Sequence, residues 1–203
     1  MIALERSGKF AQAMNESIRA RALHNVKIHE LDLMKDDLPR ADYDFSWCRW
    51  VASFVTDRAL FIKKLGGAMR TGSVAIFHEY ADYLSWRFSP RLPAQERFAK
   101  EVEESWRAAG GEADVGLELP PLLVENGFVV HSATPRIFCL RPSDEMWQWP
   151  STFIPIGLAR LQELGRIDQE FAEQMGAAFA EAAKDPNSLM ITPLVLEIIA
   201  EKS

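Results

Sequence analysis

The sequence predicts a layered α/β fold, in which a mostly parallel sheet carries helices on both of its faces. Two apolar strands, Tyr43 to Cys48 and Val74 to Phe77, flank a helix that runs from about Asp57 to Met69. A turn is predicted at Arg70 to Ser73, directly before the second strand. Strands with so little polar alternation are usually buried on both faces, as the strands of parallel sheets are.

The carboxyl ends of these two strands mark the first candidates for a functional site. In open α/β sheets, ligands bind in the crevice beyond the carboxyl ends of the strands. The residues in that position are Cys48, Arg49 and Trp50 after the first strand, and His78, Glu79 and Tyr80 after the second.

Composition limits the class of protein. A chain of 203 residues with 48% hydrophobic residues can bury one sizeable core, so a single domain over residues 1–203 is expected. The formal net charge of −6, without a cluster of Lys and Arg, argues against nucleic acid and anionic membranes as partners. Cys48 and Cys139 lie in apolar runs, which is typical of buried thiols in a reducing compartment. With no apolar run near ~20 residues and no hydrophobic leader, a cytoplasmic protein is expected.

The N-terminal segment is predicted to form a strand, a helix and a second strand. Met1 to Leu4 is a short apolar run closed by Glu5, and Ser7 can cap the helix that follows. Apolar residues recur at helical spacing at Phe10, Met14 and Ile18. The run from Val26 to Leu33 is the second strand, and Asp32 lies at its end.

After the central unit, helices dominate until the chain returns to the sheet. The aromatic segment from Ala81 to Pro93 holds two prolines and is predicted as an irregular connection or lid. The later predicted elements are helices at 94–108 and 120–125, a strand at 128–140, helices at 147–164 and 168–184, and a strand at 189–200. The segments 81–109 and 144–187 are expected to form a helical lid.

Taken together, these features resemble the class I S-adenosylmethionine-dependent methyltransferases of the small-molecule type, over nearly the whole chain. Glu5 resembles the acid after the family's second strand, which binds the ribose hydroxyls of the cofactor. Asp32 resembles the acid after the third strand, which accepts from the adenine amino group, with Leu31 and Leu33 flanking the ring. The resemblance implies S-adenosylmethionine as the cofactor and a Rossmann-like sheet with an antiparallel C-terminal strand.

The central unit carries the rest of the resemblance. The run YDFSWCRWVASFVTD is similar to the family's fourth strand, where a backbone carbonyl near Cys48 or Arg49 would meet the methionine part of the cofactor, beside Trp50. The run LGGAMRTGSVAIFHE is similar to the turn and fifth strand of the family, although Thr71 and Ser73 replace its proline and second glycine. The two C-terminal strands resemble its antiparallel sixth and seventh strands.

One part of the family pattern is not found in the sequence. The family's first strand and its glycine-rich turn would lie immediately before Met1, and the sequence is therefore expected to start late. That strand would lie between the first and third strands of this chain. A sheet without it exposes two rows of backbone groups, so either these edges pair directly or another segment or chain fills the gap. A homodimer is one way to fill it.

Methyl transfer needs alignment of the acceptor, exclusion of water and, if the acceptor must lose a proton, a base. His78 is the best candidate for the base, followed by Glu79 and Tyr80; the alternative for His78 is a structural histidine at a strand end. Arg49 can bind a carboxylate of the cofactor or substrate, or form a surface ion pair. The alternatives for Glu5 and Asp32 are a helix N-terminal acid and a turn residue.

Aromatic residues in the predicted connections indicate a small organic acceptor that is apolar or aromatic. They are Trp50, Trp86, Trp147, Trp149, Tyr80, Tyr83, Phe88 and Phe153. The alternative is that they pack the core. No HExxH, GxSxG or zinc-spaced cysteine pair occurs in the sequence, and no metal is predicted.

Three functions remain open from the sequence. The first is S-adenosylmethionine-dependent methylation of a small organic molecule. The second is a truncated or degenerate module without activity that associates through its sheet. The third is an NAD(P)-dependent oxidoreductase, because an acid after the second strand also suits the ribose of that cofactor.

Overall fold

The computed structural model of the protein describes residues 1–39 and 42–203. The strands are β1 (Ile2–Glu5), β2 (Lys27–Glu30), β3 (Tyr43–Arg49), β4 (Met69–Asp82), β5 (Arg87–Ser89), β6 (Phe128–Arg136), β7 (Cys139–Leu140), β8 (Leu189–Ile191) and β9 (Leu194–Lys202). The α-helices are α1 (Gly8–Ala20), α2 (Arg58–Ala68), α3 (Pro93–Ala108), α4 (Leu119–Glu125), α5 (Gln148–Glu163) and α6 (Gln169–Lys184). None of these helices is long and apolar enough to cross a membrane.

The strands form three sheets. β1 and β2 pair in parallel, and β3 pairs in parallel with β4 in a second sheet of order β3-β4-β9-β6. β9 runs antiparallel to both β4 and β6, and a small antiparallel sheet has the order β5-β8-β7. The predicted parallel neighbours and the antiparallel C-terminal strand are confirmed. The prediction of one mostly parallel sheet is wrong, because most of the strand pairs in the described residues are antiparallel.

The sheet is split between β1 and β3. In residues 1–39 and 42–203, β1 pairs only with β2, and β3 pairs only with β4. Direct pairing of the β1 and β3 edges, one of the two outcomes expected from the sequence, is therefore not what the chain does. The two parts meet instead through the turn after β2: Lys64 of α2 donates to the carbonyls of Leu33 at 3.1 Å and Asp36 at 2.8 Å.

β4 is much longer than predicted. It begins at Met69 and continues to Asp82, so the predicted turn at Arg70 to Ser73 lies inside the strand. The register explains the difference, since Tyr43 pairs with Met69 but Phe45 pairs with Val74, and the extra residues of β4 are accommodated as an irregularity. Gly72 supports it with a φ of +79°, which glycine adopts at little cost.

The two predicted C-terminal strands each divide into two. Residues 128–140 form β6 and β7, and residues 189–200 fall on β8 and β9, so both segments cross from the main sheet to the small one. The crossing points are tied together, because Thr192 and Phe138 exchange two hydrogen bonds of 3.0 Å. Pro193, which has no backbone N–H, follows directly and interrupts the ladder.

Two hydrophobic cores hold these layers. One lies between α2, α4 and the main sheet, and its fully buried members include Ile62, Phe77, Leu119 and Leu123. The other joins α3, α5, α6 and the small sheet, and its fully buried members include Tyr83, Trp86, Phe98, Met175 and Met190. Because Tyr83 and Trp86 are 0% exposed, the prediction that residues 81–93 form an irregular connection or lid outside the core is wrong. That the helical segments move as a lid stays a prediction.

The second face of the main sheet is open along β3. Phe45 and Trp47 are each 55% exposed, and they alternate with Cys48, which is buried beneath α2. Val129 of β6 is 52% exposed. Helices therefore cover this face only in part: in the described residues it is open along β3, whereas Tyr80 of β4 packs against Trp106 of α3.

Candidate functional site

A pocket of about 390 Å³ lies on the open face of the main sheet, at the carboxyl end of β3. The crossing between the main and small sheets and the start of α5 close its other sides. Its lining comprises Arg49, Trp50, His78, Tyr80, Arg136, Phe138, Met146, Trp149, Thr192, Pro193, Val195 and Glu197. The volume falls within the range of small-molecule sites, and most of the lining is aromatic or apolar, as in such sites.

Trp50, which directly follows β3, has an uncommon backbone conformation. Its φ of +54° lies in the left-handed region, which bulky residues rarely adopt. Its N–H donates to the carbonyl of His78 at 3.0 Å, and its ring stacks on Tyr80 with 5.6 Å between centroids and 6° between planes. The indole nitrogen is buried without a hydrogen-bond partner in the described residues. The turn thus places a flat aromatic wall and an unsatisfied donor at the pocket.

Glu79 holds the loop after β3 in place. One of its oxygens accepts from the N–H groups of Val51 at 3.0 Å and Ala52 at 3.1 Å, and the other accepts from the Ser53 hydroxyl at 3.4 Å. Burial raises the pKa of the Glu79 carboxyl, although these hydrogen bonds oppose the rise. Burial, with the Glu79 charge beside it, also raises the pKa of the Cys48 thiol.

The extended β4 strand separates the three candidates for a base. His78, Glu79 and Tyr80 lie inside the strand, and not after it as the sequence predicted. Their side chains therefore alternate, so that His78 and Tyr80 line the pocket while Glu79 faces the core on the other side. The arrangement brings two of the three candidates together and leaves Glu79 outside the pocket.

Both ring nitrogens of His78 are engaged. Nδ1 lies 3.1 Å from the indole nitrogen of Trp47, which can only donate, so Nδ1 is the acceptor and the proton is on Nε2. Nε2 then donates to Glu197 at 3.0 Å, and the other oxygen of Glu197 accepts from Arg136 at 2.6 Å. Arg136 and then His78 hold the pKa of Glu197 below its usual range. These contacts hold the His78 ring in one orientation, with both of its nitrogens occupied.

Tyr80 is a neutral phenol in this pocket. It is 5% exposed, and burial is the main cause that raises its pKa well above the usual value. Besides stacking on Trp50, it meets Tyr83 edge to face with 5.0 Å between centroids. Tyr80 can therefore donate a hydrogen bond or form a wall, but it does not supply a phenolate near neutral pH.

Arg49 projects at the mouth of the pocket between two indole rings. Its guanidinium carbon lies 5.3 Å from the ring centroid of Trp47 and 4.8 Å from that of Trp50. Stacking uses the faces of the guanidinium and leaves its N–H edges available. The alternative of a surface ion pair does not occur with any described residue.

Glu5 and Asp32 lie at the carboxyl edge of the β1–β2 pair. β1 ends at Glu5, whose carboxylate accepts from the N–H of Ser7 at 2.7 Å and whose carbonyl accepts from Leu31 at 2.9 Å. Asp32 accepts from the N–H of Met34 at 2.9 Å, and this bond is the main cause that lowers its pKa. Both acids therefore act locally as turn residues, and both sit at the same edge.

Leu31 and Leu33 flank Asp32 differently. Leu31 is buried, whereas Leu33 packs against the core beneath the main sheet. Leu33 is thus one of the residues that join the β1–β2 pair to the rest of the molecule.

Sequence reasoning missed Arg136 and Glu197. They lie on the neighbouring strands β6 and β9, which were predicted as apolar strands, and they contact each other in the lining of the pocket. A signal was present, since each is a charged residue inside an apolar run and the two charges are opposite. In the described residues no three His, Cys, Asp or Glu side chains are grouped as metal ligands would be.

Comparison with known proteins finds similar solved structures, but neither a matching family model nor a matching curated protein. No protein-family model matches the chain. No curated protein matches it either.

Several solved structures match over almost the whole chain. A candidate methyltransferase from Bacillus halodurans C-125 has a TM-score of 0.61 at 13% identity, over 99% of this chain and 82% of the other. Phosphoethanolamine N-methyltransferase 2 of Haemonchus contortus, solved with phosphomonomethylethanolamine and S-adenosylhomocysteine, has a TM-score of 0.54 at 12% identity, over 99% and 43%. The [4+2]-cyclase SpnF has a TM-score of 0.54 at 15% identity, over 99% and 66%.

These likenesses show the fold. The chain has the fold of the S-adenosylmethionine-dependent methyltransferases that act on small molecules, as the sequence resemblance predicted. The cyclase among its neighbours is a reminder that the fold alone does not fix the reaction.

Proposed function

We propose that the chain binds S-adenosylmethionine along the carboxyl edges of β1, β2 and β3 and transfers its methyl group to a small organic acceptor. The acceptor would lie in the pocket against Trp50 and Tyr80. The observation that carries this proposal is the position of the pocket. It lies at the carboxyl end of β3 and beside β4, the edge at which α/β sheets bind their ligands.

The residues present fit the nucleoside part of the cofactor. One oxygen of Glu5 holds the Ser7 N–H, which leaves the other to accept from ribose hydroxyls. Asp32 keeps lone pairs for the adenine amino group beside Leu31. The backbone at Cys48 to Trp50 would hold the methionine part. When bound, the cofactor would supply an electrophilic methyl group on a sulfonium.

The chain's own residues would orient the acceptor and exclude water from it. The stacked rings of Trp50 and Tyr80 give a flat surface, and Trp149 extends it at 6.1 Å from Trp50. A neutral Tyr80 can donate its O–H to the acceptor. Such positioning supplies a large part of the rate in reactions of this kind.

The pocket favours an acceptor that needs no strong base. His78 has both ring nitrogens occupied, Tyr80 is a neutral phenol, and Glu79 faces the other side of the sheet. Among the described residues of the pocket, Glu197 is the one remaining base, and it is held by Arg136 and His78. His78 is therefore proposed as a positioning residue that fixes Glu197 and Trp47.

Calorimetry with S-adenosylhomocysteine tests the cofactor site. We expect binding to the unmodified chain, and a loss of about 10- to 100-fold with Glu5→Gln, because a charge-assisted contact to ribose is weakened. Asp32→Asn should lose less, because its proposed partner is one neutral amino group, whereas Glu5 would accept from ribose hydroxyls. Glu16→Gln on α1, outside the proposed site, is the matched control and should bind as the unmodified chain does.

A second candidate function is association without catalysis, through the open side of the main sheet. The observation that favours it is the exposure of Phe45 and Trp47 on β3, which is an edge strand of its sheet in the described residues; exposed apolar edges of this kind can recruit another chain. The same calorimetry separates the two candidates. Absence of heat with S-adenosylhomocysteine, and with NADH as the alternative nucleotide, together with a dimeric mass in solution, would favour association over methyl transfer.

A further inference from the structure

The pocket carries a positive charge in an acidic protein. The chain has a formal net charge of −6. The lining of the pocket holds two guanidinium groups, those of Arg49 and Arg136, against the single carboxylate of Glu197. These three groups leave the described lining with one positive charge in excess.

That charge belongs to Arg49. Arg136 is bound to Glu197 at 2.6 Å, and Glu197 also accepts from His78, so these groups neutralise one another. Arg49 has no acidic partner among the described residues, and it is held only by the faces of Trp47 and Trp50. Its N–H edges are therefore preorganised and available to an acceptor.

Apolar surface adjoins this cation. The stacked Trp50 and Tyr80 rings, Trp149, Phe138 and Met146 line the rest of the pocket. The site thus combines one anion-binding fork with a flat aromatic wall within about 390 Å³.

We propose that the pocket binds an aromatic or apolar carboxylic acid, with the carboxylate held by Arg49 and the apolar body on Trp50 and Tyr80. This inference rests on the proposed function, in which the pocket holds the methyl acceptor. A carboxylate is favoured over a phosphate because a single unpaired guanidinium matches one negative charge, and a planar fork suits a planar carboxylate.

The test compares probes that share a naphthalene ring and differ in the polar group attached to it. Calorimetry would measure binding of 2-naphthoate, its neutral amide 2-naphthamide, and 2-naphthyl phosphate. The unmodified chain should bind the naphthoate about tenfold or more tightly than the amide, as expected for a charge-assisted bidentate contact. Arg49→Gln should remove that preference, and Arg49→Lys should retain part of it. The preference should also fall as salt is added.

Arg97→Gln is the matched control. Arg97 is likewise stacked on an aromatic ring, at 4.0 Å from the Phe171 centroid, but it lies outside the pocket. This variant should keep the preference for the acid. Circular dichroism of each variant would show that the fold is retained.

Three results would overturn the inference. They are equal binding of naphthoate and amide by the unmodified chain, no binding of either at millimolar concentration, and tighter binding of the phosphate than of the naphthoate. A fourth would reassign Arg49 to the cofactor: if Arg49→Gln weakens S-adenosylhomocysteine binding and leaves the naphthoate preference intact, Arg49 does not bind the acceptor.

The inference and the proposed function fail in different ways. Preference for the acid without any S-adenosylhomocysteine binding would leave the anion site standing and remove the methyltransferase function. Binding of S-adenosylhomocysteine without a preference for the acid would keep the proposed cofactor site and remove the anion site.

Discussion

Glu79 shows what a single residue contributes and why its role escaped prediction. In the sequence it stands beside a histidine and a tyrosine at an apparent strand end, which is typical of a catalytic group. In the structure the strand continues, and its carboxylate instead binds the backbone of the loop that shapes Trp50. The strand ends at Asp82 and not at Phe77, so residues expected together beyond its end alternate between its two faces instead. No local pattern in the sequence fixes that end.

Replacement of Glu79 should separate its hydrogen bonds from its charge. Glu79→Leu leaves the buried N–H of Ala52 and the partly buried N–H of Val51 without this partner, and a fully buried unsatisfied donor costs about 1–3 kcal/mol. It should therefore be about 2–4 kcal/mol less stable than Glu79→Gln, which keeps an acceptor oxygen. Urea unfolding of the two variants measures this difference, and equal midpoints would contradict the structural role.

The Glu79 carboxyl should also make the stability of the unmodified chain depend on pH, with a sign that can be stated. Because burial raises the pKa of Glu79 above its usual 4.5, the folded state binds more protons than the unfolded state between the two pKa values. The stability of the unmodified chain should therefore fall, relative to Glu79→Gln, as the pH rises from about 4.5 through the folded-state pKa. A difference in unfolding free energy that does not change with pH would show that the carboxyl titrates normally.

At the scale of elements, helices were predicted well and strand partners poorly. α3, α5 and α6 lie within one residue of their predicted bounds, since helical periodicity, caps and stop residues are local signals. The runs 128–140 and 189–200 read as single strands because each is largely apolar. Their division between two sheets depends on pairing with distant residues, as at Phe138 and Thr192.

Two adjacent glycines of α2 should respond differently to substitution. A Cβ on Gly67 meets nothing within 4 Å, whereas a Cβ on Gly66 would lie 3.3 Å from both the Asn126 carbonyl oxygen and the Phe128 ring. Gly67→Ala should therefore stabilise the protein by about 0.5–1 kcal/mol through helix propensity. Gly66→Ala should gain less or lose stability, because the helix must shift from β6. Thermal unfolding of both variants tests this, and an equal gain would mean that α2 does not pack as described.

At the scale of the whole molecule, the divided sheet is the main departure from the predicted fold. The sequence resemblance did predict a break between the first and third strands of this chain, and the structure has its break there. It could not predict that one face of β3 near the break would remain open, as at Phe45 and Trp47, since burial depends on the complete set of packed layers. The acids Glu5 and Asp32 and the pocket therefore lie on separate sheets.

Hydrogen exchange should distinguish these two parts. β1 and β2 form a sheet of only two strands, which is marginal by itself, whereas β4 lies between two partners. We expect amides of β1 and β2 to exchange much faster than those of β4. Saturating S-adenosylhomocysteine should slow exchange in β1 and β2 most, because a ligand that bridges the parts stabilises the weaker one. Equal protection of both parts without ligand would contradict the division.

The contact of Lys64 with the carbonyls of Leu33 and Asp36 has a consequence for affinity. Leu33 and Met34 also pack against the core beneath the main sheet. Together with the Lys64 contact, they set the orientation of the β1–β2 pair relative to the main sheet. A molecule that spans both would bind only the fraction of chains in which that orientation is correct, so the apparent dissociation constant is the intrinsic one divided by this population. Lys64 would then tune affinity from a position that no bound molecule touches.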